Sequence, residues 1–379
     1  MNAERLHALV NGLTMEFQKT SSVDLLQGIL NSLQAVVNGP PSSRSPRQAA
    51  LGHALSNTYD ALGNSPSDNY SPAMRQLLQE LGGEDLVGNL LRLRIEAIFA
   101  RNQITPDVAL SELASLHHRV TSFRDAVRSC ASALDALGVG KEDLKSGECE
   151  IGVLIPRKAV GNRLPGLADE LEETSFILGT ISEVATGTKD KLEVRSISSS
   201  DFLLHLKALA PYAACAAVCV ERVVALYRQL LEIRKLQMDI RKQNLPAEVD
   251  AIIEKHVNSY MEAGLRREAS DIIERFYKKG DPGRRNELCN ALTIALNKLA
   301  NRIDKGFNVE VRCEPLGTRE KGTPPPDPEL LHALKTIQSL AKNMQFLKLD
   351  GQPILKLPES IEKPPPGNSG DGNSGDTTV

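Results

Sequence analysis

The stretch IGVLIP at residues 151–156 decides the fold, because a short apolar run there is ended by proline. Such a run is typical of a strand that is buried on both faces. Helical spacing follows over residues 164–184, and the stretch LEVRSI at residues 192–197 then alternates like a half-buried strand. The stretch SSSD at residues 198–201 supplies the residue types that cap the start of a helix. These elements together predict a strand–helix–strand–helix (βαβα) unit.

If these two strands are neighbours in one sheet, we expect them to be parallel and joined by a right-handed crossover. The stretch NVEVRC at residues 308–313 also alternates, and its EVR repeats the EVR of residues 193–195. A similar amphipathic segment follows each of the two stretches, which we interpret as a helix. We therefore expect the later strand to join the same sheet, with glutamate opposite arginine on the sheet surface.

The elements outward from this unit are mostly helical. Residues 1–137 show helical spacing interrupted by proline- and glycine-rich turns, and no strand is expected before residue 148. Beyond the unit, the spacing predicts helices over 211–242, 246–277, 284–303 and 328–343. Asp350-Gly351, flanked by the stretches FLKL at residues 346–349 and ILKL at residues 354–357, predicts a β-hairpin.

The predicted fold class is mainly α, in two domains. Residues 1–147 form an all-helical domain, and residues 148–358 form an α+β domain with a small mixed sheet and a long spine helix. Residues 359–379 are dominated by proline, glycine and serine, with GNSGD occurring twice. A segment of this composition cannot bury a core, so we expect a disordered tail.

The long helix over 211–242 carries apolar positions at alternating steps of three and four residues, as in a coiled coil. The apolar stripe is wider than a strict two-helix seam, which favours a helix that forms the spine of its own domain. A dimer seam along the same helix is the alternative.

Composition narrows the class of protein. The chain has 379 residues, a net charge of −3 and 4% aromatic residues without tryptophan. These values argue against a strongly basic nucleic-acid coat and against aromatic base-stacking platforms. The six cysteines form no CxxC pair, and the longest nearly apolar run, residues 208–220, is too short to span a bilayer. We expect a cytoplasmic protein with reduced thiols, no secretory signal and no membrane segment.

The first candidate site is an anion site formed by the loops after the two predicted parallel strands. Loops at the carboxyl edge of such strands often bind ligands, and a helix start offers free N–H groups. The residues in question are Arg157, Lys158, Arg163, Ser198, Ser199 and Ser200. The alternative is that the serines cap the helix and the cations are solvated.

The second candidate is a basic hinge around residues 280–283 that would contact nucleic-acid phosphates. Its cations are Arg266, Arg267, Lys278, Lys279, Arg284 and Arg285. Acidic residues such as Glu268 and Asp281 are interleaved with them, so a solvated, salt-bridged surface is the alternative interpretation.

Motifs of enzymes and cofactor sites are not found in the sequence. The stretch GVGK at residues 138–141 lacks the earlier glycine and the following Ser or Thr of a P-loop. Cys215 and Cys219 are too few for a structural zinc site, and the nearest histidine in sequence, His205, lies beyond Pro211. We therefore predict no metal, no cofactor and no catalytic residue.

The sequence is compatible with three functions. The first is a non-enzymatic cytosolic scaffold or protein-interaction protein, self-associating through its long helices as a homo-oligomer or binding a protein partner. The second is a nucleic-acid-associated module that uses the 266–285 cations. The third is a small-anion or nucleotide binder that uses the loops at 156–163 and 198–201.

Overall fold

The computed structural model describes most of the chain. The described residues are 3–141, 144–189, 192–198, 202–242, 247–278, 281–317, 326–341, 343–344, 346–347, 349 and 351–360. The predicted disordered tail, residues 359–379, lies almost wholly outside them.

Residues 3–141, called the helical region below, contain only helices and turns, as the sequence predicts. The helices are α1 (Ala3–Thr20), α2 (Ser22–Asn38), α3 (Arg44–Leu62), α4 (Pro72–Glu80), α5 (Gly88–Arg101) and α6 (Pro106–Ala136). Both α1 and α2 pack on α6, and their apolar stripes bury side chains such as Leu13, Ile29 and Leu113 completely. This region has a hydrophobic core of its own.

The remaining described residues, called the α+β region, form a second core around a four-stranded sheet. The strands are β1 (Cys149–Ile155), β2 (Glu193–Ile197), β3 (Phe202–Ala208) and β4 (Asn308–Cys313). The helices are α7 (Leu164–Thr186), α8 (Ala210–Arg228), α9 (Leu231–Lys242), α10 (Ala247–Phe276), α11 (Pro282–Asp304) and α12 (Pro328–Ala341). The mainly α fold with an α+β part is confirmed.

The topology of the sheet differs from the prediction. The strand order is β2-β3-β1-β4 and every pairing is antiparallel, so the expected mixed sheet with a parallel βαβα unit is wrong. The helix expected after Ser200 is strand β3, which lies between β1 and β2. The adjacent apolar residues Leu203 and Leu204 hide its period of two, and pairing with a strand on each side fixes its extended backbone. The expected place of residues 308–313 in the same sheet is confirmed.

The two faces of the sheet have different partners. Ile151, Leu206 and Val311 lie on the apolar face, in the core that also contains helix α8. Helix α8 is buried along almost its whole length, so it is the spine of the region. Among the described residues it is the one helix long and apolar enough to cross a membrane, but 72% of that window is buried inside the protein. Its burial identifies α8 as a core helix.

The predicted continuous helix over 211–242 is interrupted at Gln229 and Leu230. Their N–H groups bond to the carbonyls of Leu226 and Tyr227, three residues back, as in a 3₁₀ turn. No glycine or proline marks this break, which is why the sequence did not reveal it. The turn separates α8 from α9, and Leu230 within it is buried in the core.

Helix α9 is tied to the core by a buried network centred on Asp304, called the Asp304 network. The carboxylate Oδ1 accepts hydrogen bonds from Arg234 Nη1 at 2.5 Å and from the Tyr227 hydroxyl at 2.6 Å. The other oxygen, Oδ2, accepts from the backbone N–H groups of Ile354 and Leu355 at 2.5 and 2.7 Å. The network therefore joins α8, α9, α11 and the C-terminal segment.

That C-terminal segment, residues 351–360, forms no strand, so the described part does not support the predicted hairpin; Asp350 lies outside the described residues. The segment instead crosses α11, where Asn301 accepts from the N–H of Leu357 and donates to its carbonyl, both at 3.0 Å. Side chains from helices take the hydrogen-bonding role that a partner strand would have played.

Candidate functional site

The loops proposed for an anion site lie at one end of the sheet, but strand β3 follows residues 198–201 where a helix start was expected. Strands β1 and β2 run in the same direction because both are antiparallel to β3. The guanidinium of Arg157, just after β1, lies 4.9 Å from the ring centroid of Phe202, at the start of β3. Arg157 also donates to Asn162, while Lys158 and Arg163 are exposed. Ser198 is buried and its N–H bonds to Leu203 within the β2–β3 connection. Ser199 and Ser200 lie outside the described residues.

The basic hinge is a surface of paired charges. Arg284 contacts the carboxylates of Glu183 and Glu287, and Arg266 lies 3.4 Å from Glu262. Arg267 within α10, Lys278 after it and Arg285 in the first turn of α11 are exposed, and Lys279 lies outside the described residues. These pairings offset the positive field that binding of phosphates would need.

A cluster that sequence reasoning missed lies on the polar face of the sheet, against the helical region. It consists of Glu150 on β1, His205 on β3 and Glu310 on β4, and all three residues are 0% exposed. In the strand register, Gly152 stands between His205 on one side and Glu310 on the other, with Glu150 two residues before it. Three strands thus bring together residues that are 55 to 160 positions apart. We call this group the Glu-His-Glu cluster.

Glu150 is the most strongly held carboxylate of the cluster. Its Oε1 accepts from Arg5 Nη2 at 2.7 Å and from Arg312 Nε at 2.9 Å, and His205 Nδ1 lies 3.1 Å away. Burial by itself would raise the pKa of Glu150, but the contact with His205 and the charges of Arg312 and Arg5 outweigh it. The pKa is held far below its ordinary value, so the group is an anion at neutral pH.

Glu310 connects the sheet to helix α4 of the helical region. Its Oε2 accepts from the backbone N–H of Ala73, in the first turn of α4, at 2.8 Å. A carboxylate there satisfies a free N–H group and interacts favourably with the helix dipole. Glu150 accepts instead from the guanidinium of Arg5 on α1, so two glutamates of the sheet hold two helices of the other region.

The cluster nevertheless leaves several buried atoms unsatisfied. Among the described residues, Glu150 Oε2, Glu310 Oε1 and both ring nitrogens of His205 lack a well-aligned hydrogen bond. Glu150 Oε2 lies 3.9 Å from Arg195 Nε, beyond hydrogen-bond distance. Each such atom costs about 1–3 kcal/mol of desolvation free energy when nothing replaces water. One ligand atom from each residue lies within 4.8 Å of the other two.

A cleft between the two regions continues the same face of the sheet. It has a volume of about 840 Å³ and is lined by Pro72 and Arg75 of α4 and by Leu154 and Asn308 of the sheet. Leu154 pairs with Asn308, one step along the same face from the pair of Gly152 with Glu310. The cleft therefore lies on the same face of the sheet as the Glu-His-Glu cluster, but none of the three cluster residues lines it.

A second candidate site is an apolar groove of about 650 Å³ between α9 and α10. Its walls include Leu236 on α9 and Ile252 on α10, which are 57% and 59% exposed, and Tyr260, whose hydroxyl bonds to Gln229. Leu230 and Val257 form its buried floor. The remaining wall residues are Ile233, Ile253 and His256. An apolar surface of this kind on a soluble domain is typical of a site for protein association.

The expected dimer seam on the long helix takes a different form in the structure. Its positions Cys219, Val223 and Leu230 are buried inside the α+β region and cannot meet another chain. The exposed apolar residues lie instead on the side of α9 that faces α10. The seam pattern therefore marked the core side of α8, and the groove lies beyond the break.

Comparisons of the chain with models of protein families, with curated proteins and with solved structures found no match. The function of this chain is therefore inferred from its own residues and their geometry.

Sequence reasoning missed the cluster because its residues are distant in sequence. The expected pairing of glutamate with arginine on the sheet does occur, but between Glu150 and Arg312 rather than between the strands at 193–195 and 310–312. Those two strands are the opposite edges of the sheet. The available signal was Glu150 itself, a charged residue beside a strand predicted to be buried on both faces.

Proposed function

We propose that this chain is a non-enzymatic interaction protein of the cytoplasm that self-associates through the groove between α9 and α10. The exposure of Leu236 and Ile252 side by side on one groove is the observation that carries the proposal. Burying such side chains in a second chain removes apolar area from water, which is the main favourable term in association.

The occupant we propose is a second copy of this chain. A two-fold axis brings the same patch of both copies together, so the patch must be complementary to itself. The exposed side of α9 carries Glu232 and Lys235, which pair with each other at 3.0 Å, and α10 carries Glu254, which pairs with Lys356, and Lys255. Because charges of both signs lie beside the groove, two copies of this surface can approach without net repulsion.

The charge pattern also favours this occupant over nucleic acid. The cations of the hinge at 266–285 include arginines that already contact glutamates, and the groove itself is apolar. The six free cysteines support a reducing compartment.

Sedimentation velocity of the full chain over a range of concentrations tests the proposal. We expect the wild type to form dimers reversibly and the variant Leu236→Glu/Ile252→Glu to need at least tenfold more protein, since each buried charge opposes association. The matched control is Ile104→Glu, which replaces an exposed apolar residue of the helical region. Circular dichroism establishes that both variants are folded.

Three outcomes overturn the proposal. One is a wild type that sediments as a monomer at every concentration, and another is a dimer that the groove variant leaves intact. Weakening by Ile104→Glu equal to that of the groove variant also contradicts it, because the effect would not be specific to the groove.

A further inference from the structure

The Glu-His-Glu cluster brings potential metal ligands close together inside the protein. Glu150 Oε2, Glu310 Oε1 and both imidazole nitrogens of His205 are buried without a well-aligned hydrogen bond, and one ligand atom from each residue lies within 4.8 Å of the other two. Bonds of about 2.0–2.2 Å to a common ion place ligand atoms about 3.3–3.6 Å apart in a tetrahedral site. Binding of an ion therefore requires the three side chains to move closer together.

The backbone keeps the space for these side chains open. A Cβ atom on Gly152 would lie 2.8 Å from Cγ and 3.1 Å from Oε1 of Glu310. Glycine at this position therefore allows the Glu310 side chain to lie across the middle strand, toward Glu150 and His205. Any other residue would push Glu310 away from the cluster.

The second contacts of the ligands hold them in place. Oε1 of Glu150 is occupied by Arg5 and Arg312, and Oε2 of Glu310 is occupied by the N–H of Ala73. Each carboxylate thus has one oxygen fixed by the protein and one oxygen that accepts no hydrogen bond from the described residues; Glu150 Oε2 has a charge contact with Arg195 Nε at 3.9 Å. Metal-binding carboxylates and histidines characteristically have such supporting hydrogen bonds.

We propose that Glu150, His205 and Glu310 bind one divalent transition-metal ion of the Zn²⁺ type at the boundary between the two regions. The donor set restricts which ion fits. Arg5 and Arg312 both contact Glu150 and weaken the binding of any cation, whereas Mg²⁺ and Ca²⁺ also need more oxygen ligands than these residues supply. An imidazole ligand favours the borderline ions Zn²⁺ and Co²⁺ instead.

The ion in this site has a structural role. Its ligands are the same carboxylates that bind Arg5 of α1 and Ala73 of α4, so the ion rigidifies the contact between the helical region and the sheet. Because only the folded protein assembles ligands from three strands, binding of the ion stabilises the folded state.

Titration of the chelator-treated full chain with Zn²⁺ and with Co²⁺ tests the proposal. We expect isothermal calorimetry to give one ion per chain, Co²⁺ to produce visible absorption bands, and Zn²⁺ to raise the melting temperature. Glu310→Gln should weaken binding at least tenfold; its amide oxygen can still accept from Ala73, so the fold is retained. His205→Ala should abolish the Co²⁺ bands.

The control is His53→Ala, which removes an exposed histidine of α3 and should leave all three readouts unchanged. A folded wild type that binds neither ion overturns the proposal. Binding that Glu310→Gln leaves at full strength also overturns it, because the ion would then lie elsewhere. Neither outcome bears on dimer formation through the groove, so failure here is distinguishable from failure of the proposed function.

Discussion

Two buried charged groups in the α+β region differ in how completely their hydrogen bonds are satisfied. In the Asp304 network, both carboxylate oxygens accept two hydrogen bonds each, from Arg234, Tyr227 and two backbone N–H groups. In the Glu-His-Glu cluster, each glutamate has one oxygen that accepts no hydrogen bond from the described residues. The two groups are similarly buried and both carry charge. They differ in how many hydrogen bonds their carboxylate oxygens accept.

This difference separates a structural group from a binding site. A buried carboxylate that accepts four hydrogen bonds is stable by itself. Buried acceptor atoms that accept none need an ion or a solvent molecule to be equally stable. Burial alone therefore does not identify a functional residue. The hydrogen bonds that each buried polar atom still lacks do identify such a residue.

The largest effect is expected from Asp304→Ala, which tests whether the Asp304 network is structural. The variant leaves Arg234 buried without its anion and frees two backbone N–H groups, so unfolding free energy should fall by about 3–5 kcal/mol. Urea unfolding measures the loss. Asp281→Ala, which removes the exposed cap of α11, should cost only about 1 kcal/mol. Equal losses in the two variants would contradict the comparison.

A smaller effect is expected from Gly152→Ala, which perturbs the cluster without removing a charge. The added methyl group meets Glu310 at 2.8 Å, so overpacking should cost about 1–3 kcal/mol. Gly179→Ala in α7 is the matched control, because nothing lies within 4 Å of its Cβ and alanine favours the helix. Thermal unfolding should therefore show opposite signs. Stabilisation by Gly152→Ala would show that Glu310 does not lie over the glycine.

The smallest effect concerns Glu16, a third buried carboxylate that accepts hydrogen bonds from the backbone and hydroxyl of the neutral Ser67. Burial raises its pKa, and the bonds from Ser67 only partly oppose this. The stability from its protonated form is present below the unfolded pKa of about 4.3 and is lost as pH rises through the higher folded value. Glu16→Gln, which stays neutral, should therefore gain stability relative to wild type between about pH 4 and pH 7.

Urea unfolding at several pH values measures this gain. Glu262→Gln, at a position on the surface of α10, provides the control for a change of net charge. If the stability difference between Glu16→Gln and wild type stays constant across the range, the pKa of Glu16 is not raised in the folded protein.

The sequence allowed most elements to be predicted but not their arrangement. The helices of residues 3–136 and the strands at 149–155, 193–197 and 308–313 follow from local periodicity. Strand β3 was predicted as a helix, because serine-rich capping residues precede it and its alternation is imperfect. Its partners are β1, some fifty residues earlier in the chain, and β2 immediately before it.

The sequence by itself determined which segments are helical, where the apolar core residues lie, and that the chain has ordinary charge balance and no known catalytic motif. Only the tertiary structure decided that the sheet is antiparallel, that the long helix breaks at Gln229, and that Glu150, His205 and Glu310 meet. The physical reason is the distance along the sequence between the residues that interact. Helical periodicity and capping act between residues a few positions apart, whereas strand pairing and buried charge contacts depend on chain segments that come together only when the core forms.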